Sequence, residues 1–318
     1  MRAVFLFIFL FSVSLSSIAD ADADADKYPE SELYSKPIEV VPGVWSAIGA
    51  TQPPTYENAG HNNNLSFVVS DDGVLVVNAG ASYLLAKALH EEISKITDQP
   101  IRYVVNENGQ GHAMLGNNYW REQGVKIIAH DDAIKVIDQY GEEELEGMQA
   151  YNRDRAINTS IALPDVGFSD RKLIQLGSSR IELIHFGPAH SEGDISVYLP
   201  DHDLIIAGDM AFHQRMLPVF PDTKTLDWIK TFDLFSAMDV THVIPGHGAS
   251  TDMATVTRET KGYLEYMHAE VTKLLDDDLG LDEAYLIDQS AYRYLDAFDE
   301  LAKKNAGRIF QELEADSF

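Results

Sequence analysis

The sequence predicts an α+β protein built from two β-rich blocks, residues 40–129 and 172–248, with helices between and after them. Three observations lead there. Both blocks consist of short apolar runs separated by turn residues, the pattern of strands joined by tight connections. Between such runs lies a helical stripe, Leu84, Leu85, Ala88, Leu89 and Ile93, at the spacing of one face turned to a core. Finally, four Gly-containing loops each follow an apolar run: VVNENGQGHAMLGN (104–117), GPAHSEGDISVYLP (187–200), IIAGDM (205–210) and VIPGHG (243–248). His or Asp residues placed at strand ends in distant parts of one chain point to ligands converging on a single site.

Composition bounds the chemistry. With 318 residues and 45% hydrophobic content the chain can bury a full core. It contains no cysteine, which excludes disulfides, thiolate ligands, a Cys nucleophile and a lipoprotein anchor. A formal charge of −27, from 51 acidic and 24 basic side chains, repels nucleic acid and anionic lipid.

Taken in order, residues 1–19 (MRAVFLFIFLFSVSLSSIA) have the basic start, apolar run and small-x-small end of a secretory signal, with cleavage expected after Ala19. The apolar run is shorter than the roughly 20 residues a membrane span needs. The DADADAD tract at 20–26 reads as a disordered acidic spacer. VWSAI begins the folded part. Asp71-Asp72-Gly73 joins two β-rich runs as a hairpin. Residues 55–64, with His61 among asparagines, read either as a flap over the site or as a solvated loop whose Asn side chains cap turns. A helix is expected over roughly 131–155, walling one side of a pocket, with its acidic stretch at 142–146 in solvent. Strands return at KLIQLG and RIELIHF with a turn at Ser178-Ser179, then at DISVYLP, DLIIAGD and THVIP. His185 reads as a strand residue and His202 as a turn residue. An amphipathic helix is expected over 225–238, and residues 253–318 read as helices covering the sheet.

In order and spacing the four loops resemble those of the metallo-β-lactamase superfamily, over residues 40–251. The resemblance implies an αββα sandwich of two mixed β-sheets flanked by helices, with a C-terminal helical extension. It divides the chain into a signal peptide (1–19), an acidic disordered spacer (20–37), a metallo-β-lactamase-like domain (38–252) and the extension (253–318). In that family an Asn-x-His-x-His-x-Asp-His run supplies half of a binuclear metal site, and later His, Asp and His residues supply the rest. His190, Asp209 and His247 occupy the later positions. In the first run the two histidines fall on Asn108 and Gln110, the Asp on His112 and the final His on Ala113. Asn78 stands where family members often carry Asp.

Imidazole and carboxylate bind zinc or iron well, and amide oxygens are poor replacements. The expected metal set is therefore His112, His190, Asp209 and His247, holding one zinc ion rather than two. Four such ligands close a tetrahedral shell, whereas three with a water resemble a hydrolytic site. His112 and Asp209 are the expected catalytic residues, with His112 serving as ligand or general base but not easily both. Asn108, Gln110 and His213 are expected to contact substrate. Three functions fit these residues. The first is an exported hydrolase of an ester, thioester or amide (lactam-like) bond. The second is a metal-free relative that keeps the pocket as a binding module. The third is metal-free catalysis with His112 as base beside Asp209. The expected partner is a small-molecule substrate, with neither nucleic acid nor, after signal cleavage, membrane, and the expected location is periplasmic or secreted.

Overall fold

The computed structural model describes residues 32–316, and in it each β-rich block forms its own sheet. The signal peptide and the acidic tract expected at 1–26 lie outside the described residues. The first sheet runs in chain order: β1 (Ile38–Val41), β2 (Val44–Ala47), β3 (Leu65–Ser70), β4 (Gly73–Val77), β5 (Ile101–Val105), β6 (Lys126–His130) and β7 (Val166–Phe168). Neighbours are antiparallel from β1 to β4 and parallel from β4 to β7. The second sheet contains β8 (Arg171–Leu176), β9 (Ser179–Ile184), β10 (Ser196–Leu199), β11 (Leu204–Phe212) and β12 (His242–His247), ordered β12-β11-β10-β9-β8. Only its β11–β12 pair is parallel.

The helices are α1 (Tyr83–Ile96), α2 (Gly111–Met114), α3 (Asn117–Glu122), α4 (Asp131–Asn152), α5 (Thr225–Ser236), α6 (Met253–Val256), α7 (Gly262–Asp276), α8 (Leu281–Ala284) and α9 (Phe298–Asp316). Ser82 caps α1 by accepting the Leu85 N–H, and Leu85, Ala88, Leu89 and Ile93 turn inward as their spacing requires.

Three apolar clusters order the layers. Val68, Leu75, Val105 and Ile128 of the first sheet meet Ile181, Leu183, Val197 and Ile244 of the second between the sheets. Phe67, Val74, Val76 and Val104 face the other way, onto Leu85, Leu89 and Trp120. On the outer face of the second sheet, Ile205, Phe212 and Val243 pack with Trp228, Phe232, Tyr263, Leu264 and Phe310. The result is an αββα sandwich. Because α7 and α9 supply the cover of the second sheet, residues beyond 253 share its core rather than forming a separate layer.

Four sequence-based expectations need correction. The spacer does not extend to residue 37: Leu33 is fully buried against the first sheet, and the Tyr34 N–H donates to His61 Nδ1. Strands β1 and β7 were not expected: they are the two edges of the first sheet and bury no residue fully. Pairing of Leu176 with Ser179 places the β8–β9 turn at Gly177-Ser178, one residue earlier than expected. Residues 58–64 are not a solvated loop, because Asn58, His61, Asn62, Asn63 and Asn64 are all buried, and Asn62 lines the same cavity as His112 and His247. Asn64 explains why: its Nδ2 donates to the carbonyls of Pro245 (2.8 Å) and Gly248 (2.7 Å), tying this segment to the end of β12.

Candidate metal centre

The site forms where β5, β11 and β12 end. The loop leaving β5 is closed at its base by two buried amides. Asn106 Nδ2 donates to Asn117 Oδ1 and Asn117 Nδ2 to Asn106 Oδ1, both at 2.9 Å, while Asn106 Nδ2 also donates to the Ala113 carbonyl (2.7 Å). Asn78, held at a positive φ of 70°, accepts the Glu107 N–H through Oδ1 (3.1 Å). A short amide side chain tolerates this left-handed backbone and leaves an acceptor free for the loop.

So held, the loop presents Glu107 and His112. His112 Nε2 lies 3.3 Å from Glu107 Oε1 and 3.5 Å from Asp209 Oδ2, and one ligand atom from each of the three residues falls within 4.8 Å of the other two. The remaining imidazoles reach the same carboxylate. His247 Nε2 is 3.3 Å from Asp209 Oδ1, and His190 Nε2 is 3.9 Å from Oδ2. Asp209, His190 and His247 are all buried. All four expected ligands thus gather around Asp209, but only His112 and Asp209 belong to the tightest trio. Its third member, Glu107, was missed.

Two glycines make room for the carboxylates. An added Cβ at Gly208, where φ is +63°, would lie 2.1 Å from Glu107 Oε2; one at Gly246 would lie 2.4 Å from Asp209 Oδ1. Both positions read from the sequence as turn glycines, yet each is a point where an acid crosses backbone.

The electrostatics fit a cation. Burial would raise the Asp209 carboxyl, but His112, His247 and His190 hold it far below the ordinary carboxylate range. Burial, reinforced by Asp209, pushes Glu107 up to about 6 and Asp194 up to about 8. Burial alone would lower His112, but Asp209, Glu107 and Glu144 together raise it. Burial brings His190 and His247 down to about 4, with Arg215 also acting on His247, so both rings are neutral, the ligand form, near neutrality. Asp209 Oδ1 and His190 Nδ1 are buried without hydrogen-bond partners. His247 Nδ1 lies 2.5 Å from the Asn62 carbonyl and 3.0 Å from Arg215 Nη1. One nitrogen cannot both donate to the first and accept from the second. The shorter contact favours Nδ1–H donating to Asn62, which leaves the Nε2 lone pair facing Asp209. The carboxylate oxygens of Asp209 and Glu107 and the unprotonated nitrogens of His190 and His247 match the donor set of a divalent cation, which His112 would join on giving up its proton.

The other expected contacts divide. Gln110 lines a cavity of about 970 Å³ that also exposes His112, His190, Asp209, Arg215 and His247. Asn108 is withdrawn beneath it, donating to Asp194 Oδ1 (3.1 Å) and Asp209 Oδ2 (3.3 Å), so it positions acids rather than substrate. His213 does not line the cavity; its Nδ1 meets Glu259 Oε2 at 2.8 Å on the side of the C-terminal helices. Helix α4 walls the cavity with Val136, Tyr140, Met148 and Tyr151. Within its acidic stretch, Glu144 turns inward and accepts the Gly111 N–H (3.1 Å).

Two sheets packed face to face, with His and Asp side chains meeting at their strand ends, define the scaffold of metal-dependent hydrolases. A family model described as the metallo-beta-lactamase superfamily matches residues 110–247, the span from the first loop to the last histidine. The metallo-beta-lactamase type 2 of Bacteroides fragilis is 22% identical over 189 residues, covering 57% of this chain and 70% of that protein. A probable metallo-hydrolase, YqgX of Bacillus subtilis, is 26% identical over 176 residues, covering 48% of this chain and 82% of that protein. Among solved structures, the metallo-beta-lactamase from Pontibacter korlensis superposes with a TM-score of 0.60 at 16% identity, covering 72% of this chain and 98% of that one. Over residues 110–247 the chain matches the metallo-β-lactamase superfamily, and its fold is the one seen in the superfamily's solved members.

Proposed function

We propose that the protein is an exported hydrolase that holds one divalent cation, zinc by donor type, and cleaves an ester, thioester or amide bond of a small molecule. The observation that carries this reading is the Glu107–His112–Asp209 trio, with His190 and His247 against the same Asp209. The first loop has lost the motif's ligands at 108, 110 and 113, yet it supplies a carboxylate and an imidazole from 107 and 112. Four donor residues around one shared carboxylate suit a single ion; two ions would need more. When bound, such a cation supplies Lewis acidity to water at this site.

The chain's own residues do the remaining work. Asp209 fixes the three imidazoles. Glu107, poised near neutrality by burial and its acidic neighbour, can hold or release a proton beside His112. Asn108, itself held by Asp194, keeps Asp209 from turning away. On helix α4, Val136, Met148 and the rings of Tyr140 and Tyr151 offer apolar contact to an acyl group, among the charged Asp132, Lys135, Glu143 and Glu144. A surface of this acidity disfavours nucleic acid and anionic membranes as partners, and the sequence of residues 1–19 supports export to a periplasmic or extracellular space.

Arg215 favours a second reading. Its guanidinium already places a positive charge beside His247, as a metal-free binding module would need. Metal content of the purified mature protein by inductively coupled plasma analysis decides between the two. Near one equivalent of zinc, falling on His190→Ala and His247→Ala substitution, supports the hydrolase. No metal after zinc loading, together with no turnover of p-nitrophenyl esters, leaves the binding module.

A further inference from the structure

A second hollow, of about 770 Å³, lies between α9 and residues 215–221. Arg215, Lys303, Lys304 and Arg308 line it against one carboxylate, Glu300. Four cations around one concavity invert the character of a chain that carries 51 acidic and 24 basic side chains. Lys304 pairs with Glu300 at 3.3 Å, but both are exposed and the pair is weak. Lys303 and Arg308 make no ion pair among the described residues.

Arg215 is a second and independent sign. It is only 7% exposed, and its Nε is buried without a hydrogen-bond partner. A buried, incompletely satisfied guanidinium is costly unless something meets it. Arg215 also lines the metal-centre cavity, so one side chain belongs to both hollows.

The hollow is built rather than incidental. Asn305 of α9 accepts the Val219 N–H (2.9 Å) and donates to the Leu217 carbonyl (2.8 Å) and Tyr263 Oη (3.1 Å), pinning the shared wall. A glycine inside a helix costs about 1 kcal/mol relative to alanine. Gly307 repays that within α9, because an added Cβ would lie 2.8 Å from the Tyr285 ring, which closes one side of the hollow.

We propose that this second hollow binds a small phosphate- or sulfate-bearing anion, with exposed charge from Lys303 and Arg308 and buried charge from Arg215. The site does not depend on metal loading of the first cavity. The test is isothermal titration of the full mature chain with inorganic pyrophosphate at low ionic strength. Saturable binding near one equivalent is expected, weakening as salt rises. The Lys303→Gln/Arg308→Gln double variant should bind about tenfold or more weakly with an unchanged melting temperature. His112→Ala should bind as the parent does. Competition by sulfate extends the ligand class to sulfates, and its failure narrows the class to phosphates. Absence of saturable binding, or parental affinity in the double variant, overturns the proposal. So does loss of binding in His112→Ala, which would place the anion in the metal-centre cavity.

Discussion

The two halves of the metal centre are made differently. The second sheet contributes His190, Asp209 and His247, all buried: His247 ends β12, Asp209 sits inside β11 and His190 lies in the loop that follows β9. The first sheet contributes a loop whose ligand positions are largely amides, held shut by the Asn106–Asn117 pair and by Asn78. Amides bind metal poorly but satisfy buried backbone well. The first half has therefore kept the shape of a ligand loop while its ligands moved: the negative charge sits at 107 and the imidazole at 112. Position and chemistry can separate in such a site, provided the same kinds of donor still reach the shared carboxylate.

The largest expected effect falls on the residue both halves share. Asp209→Ala should abolish retention of metal through gel filtration and lower ester turnover on the order of 10³-fold, because the carboxylate that all three imidazoles approach is gone. Retained stoichiometric metal would show that the halves do not depend on this carboxylate.

Acid should strike the support of the second half. Burial lowers His61 to about 4, with Nδ1 accepting the Tyr34 N–H and Nε2 donating to the Ala47 carbonyl. Because the folded value lies below the unfolded one, the neutral ring's contribution is complete above about pH 6.5 and is lost as pH falls through about 4, roughly 3 kcal/mol in all. His61→Gln keeps a donor and an acceptor but no titration. Urea unfolding at neutral and acidic pH should therefore show a smaller acid loss in this variant, and an equal loss would assign the effect elsewhere.

The comparison within the first loop is sharpened by two substitutions. Glu107→Gln should weaken metal affinity about 10- to 100-fold in a chelator competition, whereas Gln110→Ala should leave it within about twofold. The reverse ranking would restore the motif positions as the functional ones. Smallest is the amide clasp. Asn106→Ala should cost about 1–2 kcal/mol in denaturant unfolding by taking the donor from Asn117 Oδ1, and adding Asn117→Ala should cost less than the sum of the single changes. Additive losses would mean that the two amides act independently.

Much of the scaffold was legible because apolar periodicity and turn residues act locally. The α1 stripe, the Asp71-Asp72 hairpin and the strand-end position of His247 follow from spacing alone, whereas Asp209, expected at a strand end, lies inside β11 because pairing with β12 carries that strand on to Phe212. β1 and β7 escaped because they are the two edges of the first sheet, with no fully buried residue to mark an apolar run. The asparagine-rich 58–64 segment read as solvated because polar residues usually are; its burial depends on carbonyls at 245 and 248, far away in the chain.

The sequence by itself determined the alternation of strands and helices, the family of the scaffold and three of the donors around Asp209, since these rest on hydrophobic period and on residue type at strand ends. Tertiary structure alone decided that Glu107 joins them, that Asn108 braces acids and that His213 turns away to Glu259. Those outcomes depend on which side chains from separate strands share a few ångströms of buried space, where desolvation and Coulomb forces are strongest. Spacing along one chain carries no record of that distance.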